Sequence, residues 1–216
     1  MLNIGSLGVL LGTYLLGSIP FGWIFVKLRT GKDIRDVQSG RTGGTNAMRA
    51  AGWSIGLSTG VLDVLKGTVA VLIAKSFNAD AYLLHVLAGI AAIVGHNYSI
   101  FLLQRSPTGR WRLAGGAGGG TCLGGSIGLW SPSVLIILPI AALIFWFVGY
   151  ASVTTMSVAA LSILIFGVGA FLGNFPWEYI LFGVISLALL LWALKRNIIA
   201  LRAGTERLHG HRARKE

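Results

Sequence analysis

Long stretches of apolar residues constrain this chain more than any other feature of its sequence. A helix needs about 20 apolar residues to cross the hydrocarbon core of a bilayer. Only 12% of the 216 residues are charged, whereas soluble domains carry roughly 25%. The pattern predicts an all-α, polytopic integral membrane protein with about seven transmembrane helices, and it excludes an ordinary soluble enzyme. The predicted spans are Ile4–Val26, Ile55–Ala74, Ala81–Leu103, Thr121–Trp130, Pro132–Val148, Val153–Leu172 and Trp177–Leu194.

The fourth stretch is too short to cross a bilayer alone, so we expect it to extend into the glycines that precede it. Basic residues are concentrated in the loop after the first stretch, in the loop after the third, and after the seventh. With seven spans these regions share one side, which the positive-inside rule assigns to the cytoplasm. We therefore expect an external N-terminus and one membrane-embedded domain, residues 1–216, with a basic cytoplasmic tail at about 195–216.

The net charge of +11 fits anionic lipid headgroups and anionic substrates in such a protein, and we expect no nucleic-acid partner. Cys122 is the one cysteine, so no internal disulfide can form. The sequence has no cluster of Cys and His at metal-ligand spacing. We therefore predict neither a metal nor a cofactor.

Two glycine-rich segments on the predicted cytoplasmic side are candidate anion sites. The first is Ser39–Asn46, followed by Arg49. Its glycines let backbone amides converge on an anion, and Arg41 and Arg49 add charge suited to phosphate. A flexible juxtamembrane loop is the alternative. The second, Ala114–Thr121, brings backbone close either to a ligand or to a neighbouring helix. The candidate phosphate-binding residues of the two segments are Ser39, Gly40, Arg41, Gly43, Thr45, Asn46, Gly115, Gly116, Gly118 and Thr121.

Several polar residues stand inside or at the end of apolar stretches. Asp63 and Lys66 are three residues apart and can pair on one helix face. His96 is either a base or phosphate contact or a hydrogen-bonded packing residue. Ser152 follows the fifth stretch, where a hydroxyl either binds a ligand or caps a helix. Asn197 follows the last stretch, and lipid snorkelling does not explain an asparagine there.

Four pieces of the chain occur in a specific order and spacing. They are Tyr14–Gly22, Ser39–Arg49, Asp63–Gly67 and Gly95–Tyr98. Together they resemble the bacterial acyl-phosphate-dependent glycerol-3-phosphate acyltransferases (PlsY), in which the last three read S-G-N-x-G-A-T-N-x-x-R, D-x-x-K-G and G-H-x-Y. The resemblance covers nearly the whole chain, and it implies seven spans with three cytoplasmic motifs in a bacterial inner membrane.

The chain departs from the family pattern mainly in the second motif, usually K-G-G-K-G-x-x-T, where Ala114 and Ala117 replace both lysines. Either Arg41, Arg110 or Arg112 compensates, or the chain is a diverged member with altered or lost activity. The other departures are Arg41 for Asn, Gly44 for Ala, Ser99 for Pro, Gly149 for Arg and Lys195 for Arg.

The resemblance implies transfer of a fatty acyl group from acyl phosphate to the sn-1 hydroxyl of glycerol 3-phosphate, giving lysophosphatidic acid and phosphate. Its partners would be these two substrates and membrane lipids. We expect Ser39, Arg49, His96 and Ser152 to be catalytic, and Asn197 to orient substrate. The proton acceptor is either His96 or a substrate phosphate oxygen. A catalytically inactive paralogue and a small anion transporter are the competing functions.

Overall fold

The computed structural model describes residues 3–105 and 109–212, and it is mostly helical. In chain order, the elements are α1 (Ile4–Ser18), α2 (Phe21–Thr30), a 3-10 turn (Ile34–Asp36), α3 (Gly44–Ala51), α4 (Trp53–Phe77), α5 (Tyr82–Asn97), β1 (Ser99–Arg105), β2 (Trp111–Ala114), α6 (Gly119–Leu129), α7 (Ser133–Leu143), a π-helical turn (Ile144–Val148), α8 (Ala151–Phe171), α9 (Glu178–Ala193) and α10 (Lys195–Arg202).

Three segments of the described chain are long and apolar enough to cross a membrane: Ile4–Thr30, Trp53–Phe77 and Ala151–Phe171. Helices α9 and α10 add a fourth if the pair, bent by 68°, forms one span. Helix α6 has 11 residues and at 1.5 Å per residue is only about 16 Å long. The prediction of a helical membrane protein is confirmed, whereas the count of seven spans stays a prediction.

The third predicted span is wrong beyond Asn97, because the chain leaves the helix there and enters a hairpin. Strand β1 pairs antiparallel with β2, and Leu103 lies opposite Leu113. The Ser99 hydroxyl donates to the Ser18 carbonyl oxygen and fixes the start of this hairpin. Apolar residues of β1 therefore extended the helical pattern without continuing the helix.

The first predicted span also contains a break, at Ile19. Proline disfavours helical backbone in the residue before it, and Ile19 adopts ψ of 116° ahead of Pro20. The chain resumes as α2 and ends at Gly31 in a left-handed conformation. The break leaves the Ile19 carbonyl oxygen free to accept a hydrogen bond from the Lys66 ammonium, 3.1 Å away.

Glycines bring the helices into close backbone contact. A Cβ at Gly67 of α4 would collide with the Thr121 carbonyl oxygen of α6, and one at Gly124 would collide with the Val64 carbonyl oxygen. Gly17 of α1 and Gly95 of α5 likewise allow close backbone contact between those two helices. Glycine at these positions therefore allows the helices to pack closely.

The chain after α10 folds back onto the π-helical turn and the residues that precede α8. The His209 amide donates to the Gly149 carbonyl oxygen at 2.8 Å, and the His211 amide donates to the Trp146 carbonyl oxygen at 3.0 Å. The His209 ring stacks on Phe145, with centroids 5.2 Å apart. We call residues 203–212 the returning tail. Arg214 and Lys215, which belong to the predicted basic tail, lie outside the described residues.

Candidate active site

The N-termini of α3 and α6 meet against the same turn of α4. A Cβ at Gly44, the first residue of α3, would lie 3.3 Å from the Gly60 amide nitrogen. A Cβ at Gly120 in α6 would lie 3.6 Å from the Gly60 carbonyl oxygen. Gly119 packs against Thr155 in the first turns of α8. Three helix N-termini therefore converge, and none has a side-chain cap. Because N-termini carry partial positive charge, this convergence favours anions.

The first glycine-rich segment packs beside the second. The Thr42 amide donates to the Gly115 carbonyl oxygen at 3.3 Å. Gly40 has φ of +66°, a conformation that favours glycine. Ser39 is exposed on this loop. Helix α3 begins at Gly44, so Thr45 lies in its first turn.

Asn46 faces the interior of its own loop rather than a ligand. Its side-chain amide donates to the carbonyl oxygens of Val37 at 3.0 Å, Arg41 at 2.9 Å and Ile34 at 3.3 Å. These bonds hold the loop in shape. The predicted phosphate contact of Asn46 would have to come from its other polar atom, Oδ1, which is buried and has no partner in the described chain.

The Arg41 guanidinium lies at the end of α9. Its Nη2 donates to the Ala193 carbonyl oxygen, while its buried Nη1 has no hydrogen-bond partner among the described residues. Burial lowers the pKa of Arg41, and the nearby charge of Arg196 lowers it further, whereas Glu206 raises it. Arg41 is therefore a cation with donor capacity left for an anion.

The second glycine-rich segment is a tight loop that leads into α6. The Gly116 amide donates to the His96 carbonyl oxygen at 2.9 Å. Gly118, at φ of +87°, is the N-cap residue of α6, which begins at Gly119. The Thr121 hydroxyl and both polar atoms of the Asn97 amide are buried without a partner in the described chain. Buried polar groups are nearly always hydrogen-bonded, so these groups indicate a place where a polar ligand binds.

A buried ionic cluster lies beneath this loop. The Lys66 ammonium is 2.9 Å from Asp63 Oδ1 and 2.8 Å from His96 Nδ1, and Asp63 Oδ1 is 3.3 Å from His96 Nδ1. The predicted pairing of Asp63 with Lys66 is confirmed. The His96 ring packs directly against Gly116. His96 thus lies in a position to support the glycine loop from below.

Ser152 and Asn197 are brought together by a residue that the sequence analysis missed. The Ser152 hydroxyl donates to Glu206 Oε2 at 2.6 Å, and the Asn197 amide donates to Glu206 Oε1 at 2.9 Å. Ser152 is only 1% exposed. The three residues form a corner at which α8, α10 and the returning tail meet. We call Ser152, Asn197 and Glu206 the Glu206 corner.

Arg49 contacts a second residue of the returning tail. Its Nη2 lies against His209 Nε2. Since arginine only donates, His209 Nε2 accepts and the ring is neutral. Burial lowers the pKa of His209 to about 4, and the charges of Arg49 and Arg207 contribute. Burial also lowers the pKa of Arg49, as does Arg207, while Glu206 opposes the shift.

The arginines of the loop before the second glycine segment do not contribute charge to this site. Arg105, Arg110 and Arg112 are exposed on the hairpin, and the Arg105 guanidinium stacks on Trp111 at 5.0 Å from the ring centroid. Of the arginines expected to compensate for the absent lysines, Arg41 alone lies beside the glycine loop, partly buried and with a buried Nη1. Within the described chain no group of three or more His, Cys, Asp or Glu side chains is arranged to hold a metal ion.

Glu206, His209 and Asn97 are the polar residues of the site that sequence reasoning missed. Glu206 is an acid within a strongly basic tail, and that contrast was the available signal. Asn97 follows His96 directly, but its burial depends on where α5 ends. No sequence pattern indicated His209, because its contact with Arg49 joins residues 160 positions apart.

Comparisons with known proteins agree on one family. A family model described as glycerol-3-phosphate acyltransferase matches residues 7–204. The glycerol-3-phosphate acyltransferase of Rubrobacter xylanophilus is 40% identical over 206 residues, which cover 95% of each chain. That of Thermus thermophilus is 37% identical over 206 residues, covering 94% of this chain and 95% of the relative.

Solved structures give the same result. The crystal structure of PlsY, an integral membrane glycerol 3-phosphate acyltransferase, in its glycerol 3-phosphate form matches with a TM-score of 0.81 and 31% identity. It covers 95% of this chain and 96% of the matched chain. The lysophosphatidic acid form matches with a TM-score of 0.79 and 30% identity.

Proposed function

The chain belongs to the glycerol-3-phosphate acyltransferase family, and we propose that it transfers a fatty acyl group from an acyl phosphate to the sn-1 hydroxyl of glycerol 3-phosphate. It is an acyltransferase of phospholipid biosynthesis, and its products are lysophosphatidic acid and inorganic phosphate. The observation that carries the proposal is the convergence of three uncapped helix N-termini on a site where donors of Arg41, Asn97 and Thr121 have no partner among the described residues.

The two glycine-rich segments suit two phosphate groups. The first offers neutral hydrogen bonds from its loop and the charges of Arg41 and Arg49. The second offers the amides at the start of α6 together with the Thr121 hydroxyl. We assign the first phosphate to Ser39, Gly40, Arg41, Gly43, Thr45 and Arg49, and the second to Gly115, Gly116, Gly118 and Thr121.

Three other predicted residues fit supporting roles better than direct contact with phosphate. Asn46 holds the first loop through its hydrogen bonds to loop carbonyls. His96 packs beneath Gly116 within the buried ionic cluster. Ser152 lies with Asn197 in the Glu206 corner, where it orients the acceptor substrate.

The reaction proceeds by direct attack on the acyl carbon. The sn-1 oxygen forms a bond to that carbon, the bond from the carbon to the phosphate oxygen breaks, and phosphate leaves with the bonding electron pair. An oxygen of a substrate phosphate accepts the hydroxyl proton, because His96 is 6% exposed and engaged with Lys66. Preorganised backbone amides stabilise the oxyanion, and such a donor contributes roughly 3 to 4 kcal/mol.

The site belongs at the cytoplasmic face of a bacterial inner membrane. Residues 1–216 form one membrane-embedded domain with seven crossings, an external N-terminus and a cytoplasmic C-terminus. The two glycine-rich segments and the returning tail meet at this one site, which supports a common side for the loops that carry them. An acyl phosphate can then keep its chain among membrane helices while its phosphate reaches the glycine loops.

A reconstituted assay tests this function. Purified protein is given synthetic palmitoyl phosphate and glycerol 3-phosphate, and release of inorganic phosphate and formation of lysophosphatidic acid are measured together. Arg49→Ala should reduce kcat/KM at least ~100-fold. Arg29→Ala is the matched control, because Arg29 is exposed on α2, and it should retain wild-type rates. Absence of product with wild-type protein would favour the inactive paralogue, and transport of phosphate into vesicles would favour the transporter.

A further inference from the structure

The hairpin of β1 and β2 exposes large apolar side chains that the proposed reaction does not use. Phe101 is 58% exposed and Trp111 is 63% exposed, and Ile100 and Leu103 of the same hairpin are exposed as well. The hairpin follows the apolar helix α5 directly. Apolar side chains gathered on one surface indicate a contact with a membrane or with a partner.

One face of the hairpin is turned toward the rest of the protein. The Arg35 guanidinium donates to Gln104 Oε1 at 2.8 Å, and Arg35 is itself paired with Asp33 at 2.7 Å. Gln104 lies opposite Arg112 in the two strands, so these two residues share a face, because directly opposed residues of paired strands project to the same side. We call this face, which carries Gln104 and Arg112, the inner face.

The other face is directed away from this contact. Leu103 lies opposite Leu113, and Arg105 lies opposite Trp111. Successive side chains of a strand point to opposite faces, so these four residues lie on the side away from Gln104. We call this face, formed by Leu103, Arg105, Trp111 and Leu113, the outer face. Its leucine pair is nearer to Ala114, and its arginine and tryptophan are nearer to the turn.

The charge of the hairpin favours an anionic surface. Residues 99–114 contain three arginines and neither aspartate nor glutamate. Among the described residues Arg105 takes part in no salt bridge, and its guanidinium stacks on Trp111 at 5.0 Å from the ring centroid. A stacked guanidinium keeps the N–H donors at its edge, which can bind a phosphate group in the plane of the fork. The outer face thus combines apolar surface with an available cation.

This combination matches the boundary of a bilayer. Tryptophan is concentrated at the level of the lipid headgroups, and arginine directs its charge toward them. A zwitterionic headgroup carries its own cation, which competes with an arginine for the phosphate. An anionic headgroup has no such cation, and basic side chains therefore attract anionic lipids.

We propose that the outer face of the hairpin binds anionic phospholipids of the cytoplasmic leaflet. Leu103 and Leu113 contact the acyl chains, the Trp111 indole lies at the level of the headgroups, and the Arg105 guanidinium binds the lipid phosphate. This role rests on the proposed function, whose orientation puts the hairpin on the cytoplasmic side. It adds a lipid-binding surface separate from the glycine loops.

Quenching of tryptophan fluorescence by brominated phospholipids tests this contact in the full-length protein. Wild-type and Trp111→Phe proteins are reconstituted in nanodiscs that contain equal amounts of phosphatidylcholine and phosphatidylglycerol. The acyl chains of one lipid or of the other carry bromine, so the surface charge is the same in both preparations. The fluorescence of wild type minus that of Trp111→Phe isolates Trp111 from the other tryptophans, and the two quenching values give the local ratio of the two lipids.

We expect phosphatidylglycerol to be enriched about fivefold over phosphatidylcholine beside Trp111, the fold-change that corresponds to the ~1 kcal/mol of one arginine at an anionic surface. Arg105→Gln, measured in both tryptophan backgrounds, should remove most of this enrichment. Arg112→Gln is the matched control, because it removes the same charge from the inner face of the same hairpin. It should retain the enrichment.

Three results would overturn the proposal. Equal quenching by the two lipids would mean that Trp111 lies at the bilayer surface without selecting anionic lipid. Quenching by neither lipid would mean that the outer face lies in water. Equal losses of enrichment in Arg105→Gln and Arg112→Gln would mean that general surface charge attracts the lipid. The quenching requires no turnover, so it decides the role of the hairpin even if the protein fails the acyltransferase assay.

Discussion

Replacement of Lys66 by Met tests the energetic role of the buried ionic cluster. The side chains of Lys66 and Asp63 are 2% and 5% exposed, and their charged atoms are 2.9 Å apart. Methionine fills a similar volume but removes the ammonium, so the carboxylate is left buried without its cation. Breaking a buried pair in this way costs about 3 to 5 kcal/mol.

The same ammonium also donates to the Ile19 carbonyl oxygen at the break between α1 and α2. We therefore expect the free energy of unfolding of Lys66→Met to fall by at least ~3 kcal/mol. Reversible unfolding in mixed micelles, followed by tryptophan fluorescence, measures this quantity. Lys27→Met is the control, because the Lys27 ammonium makes one exposed hydrogen bond, to the Gly31 carbonyl oxygen. It should change stability by at most ~0.5 kcal/mol.

The double variant Asp63→Asn/Lys66→Met separates pairing from simple loss of packing. Removing both charges leaves no unpaired ion, so the double variant should be more stable than the sum of the two single losses predicts. A change below ~1 kcal/mol in Lys66→Met, or strict additivity in the cycle, would refute the claim that this cluster is held by mutual charge compensation.

Three further predictions concern packing, pH and the cationic site. Gly124→Ala should destabilise the protein by at least ~1 kcal/mol, because the new methyl group collides with the Val64 carbonyl oxygen. Gly12→Ala is the control, because a methyl group at Gly12 has no atom within 4 Å. It should be neutral or slightly stabilising in the same unfolding assay. The pKa of His209 falls from 6.5 to about 4 in the folded protein, so docking of the returning tail should be complete above pH 6.5 and lost as the pH falls through about 4. Hydrogen exchange of the backbone amides of residues 203–212 measures this docking. An exchange rate corrected for its intrinsic pH dependence that does not change over this range would contradict the prediction. Arg41→Ala should raise KM for a phosphate-bearing substrate roughly 10- to 100-fold with stability nearly unchanged, and unaltered kinetics would remove Arg41 from the site.

Local patterns in the sequence predicted much of the helical architecture. The apolar runs predicted α4 and α8. The pairing of Asp63 with Lys66 followed from their spacing alone, since residues three apart share a helix face. The hairpin did not follow, because apolar residues resume in β1 directly after the short polar stretch His96–Ser99, and a few polar residues also occur within membrane helices.

The site was predicted as a set of segments but not as a set of contacts. Thr42 meets Gly115 across the fold, as convergence of the two glycine segments required. The inward direction of the Asn46 side chain depends on carbonyl groups of Ile34 and Val37, which no residue pattern specifies. Glu206 reaches Ser152 across 54 positions, and such a contact depends on where α10 turns the chain.

If the second glycine segment binds a phosphate, as we propose, it presents mainly main-chain atoms to that ligand. Residues 115 to 120 contribute amide groups and Cα atoms, and five of the six lack a side chain altogether. A compound that hydrogen-bonds to those amides would therefore contact few side chains that a mutation can replace. Resistance to it would have to arise through substitutions that add bulk, and bulk at Gly115 or Gly116 collides with the residues of α5 behind the loop. An inhibitor that binds this loop would therefore select few resistance substitutions that preserve the fold.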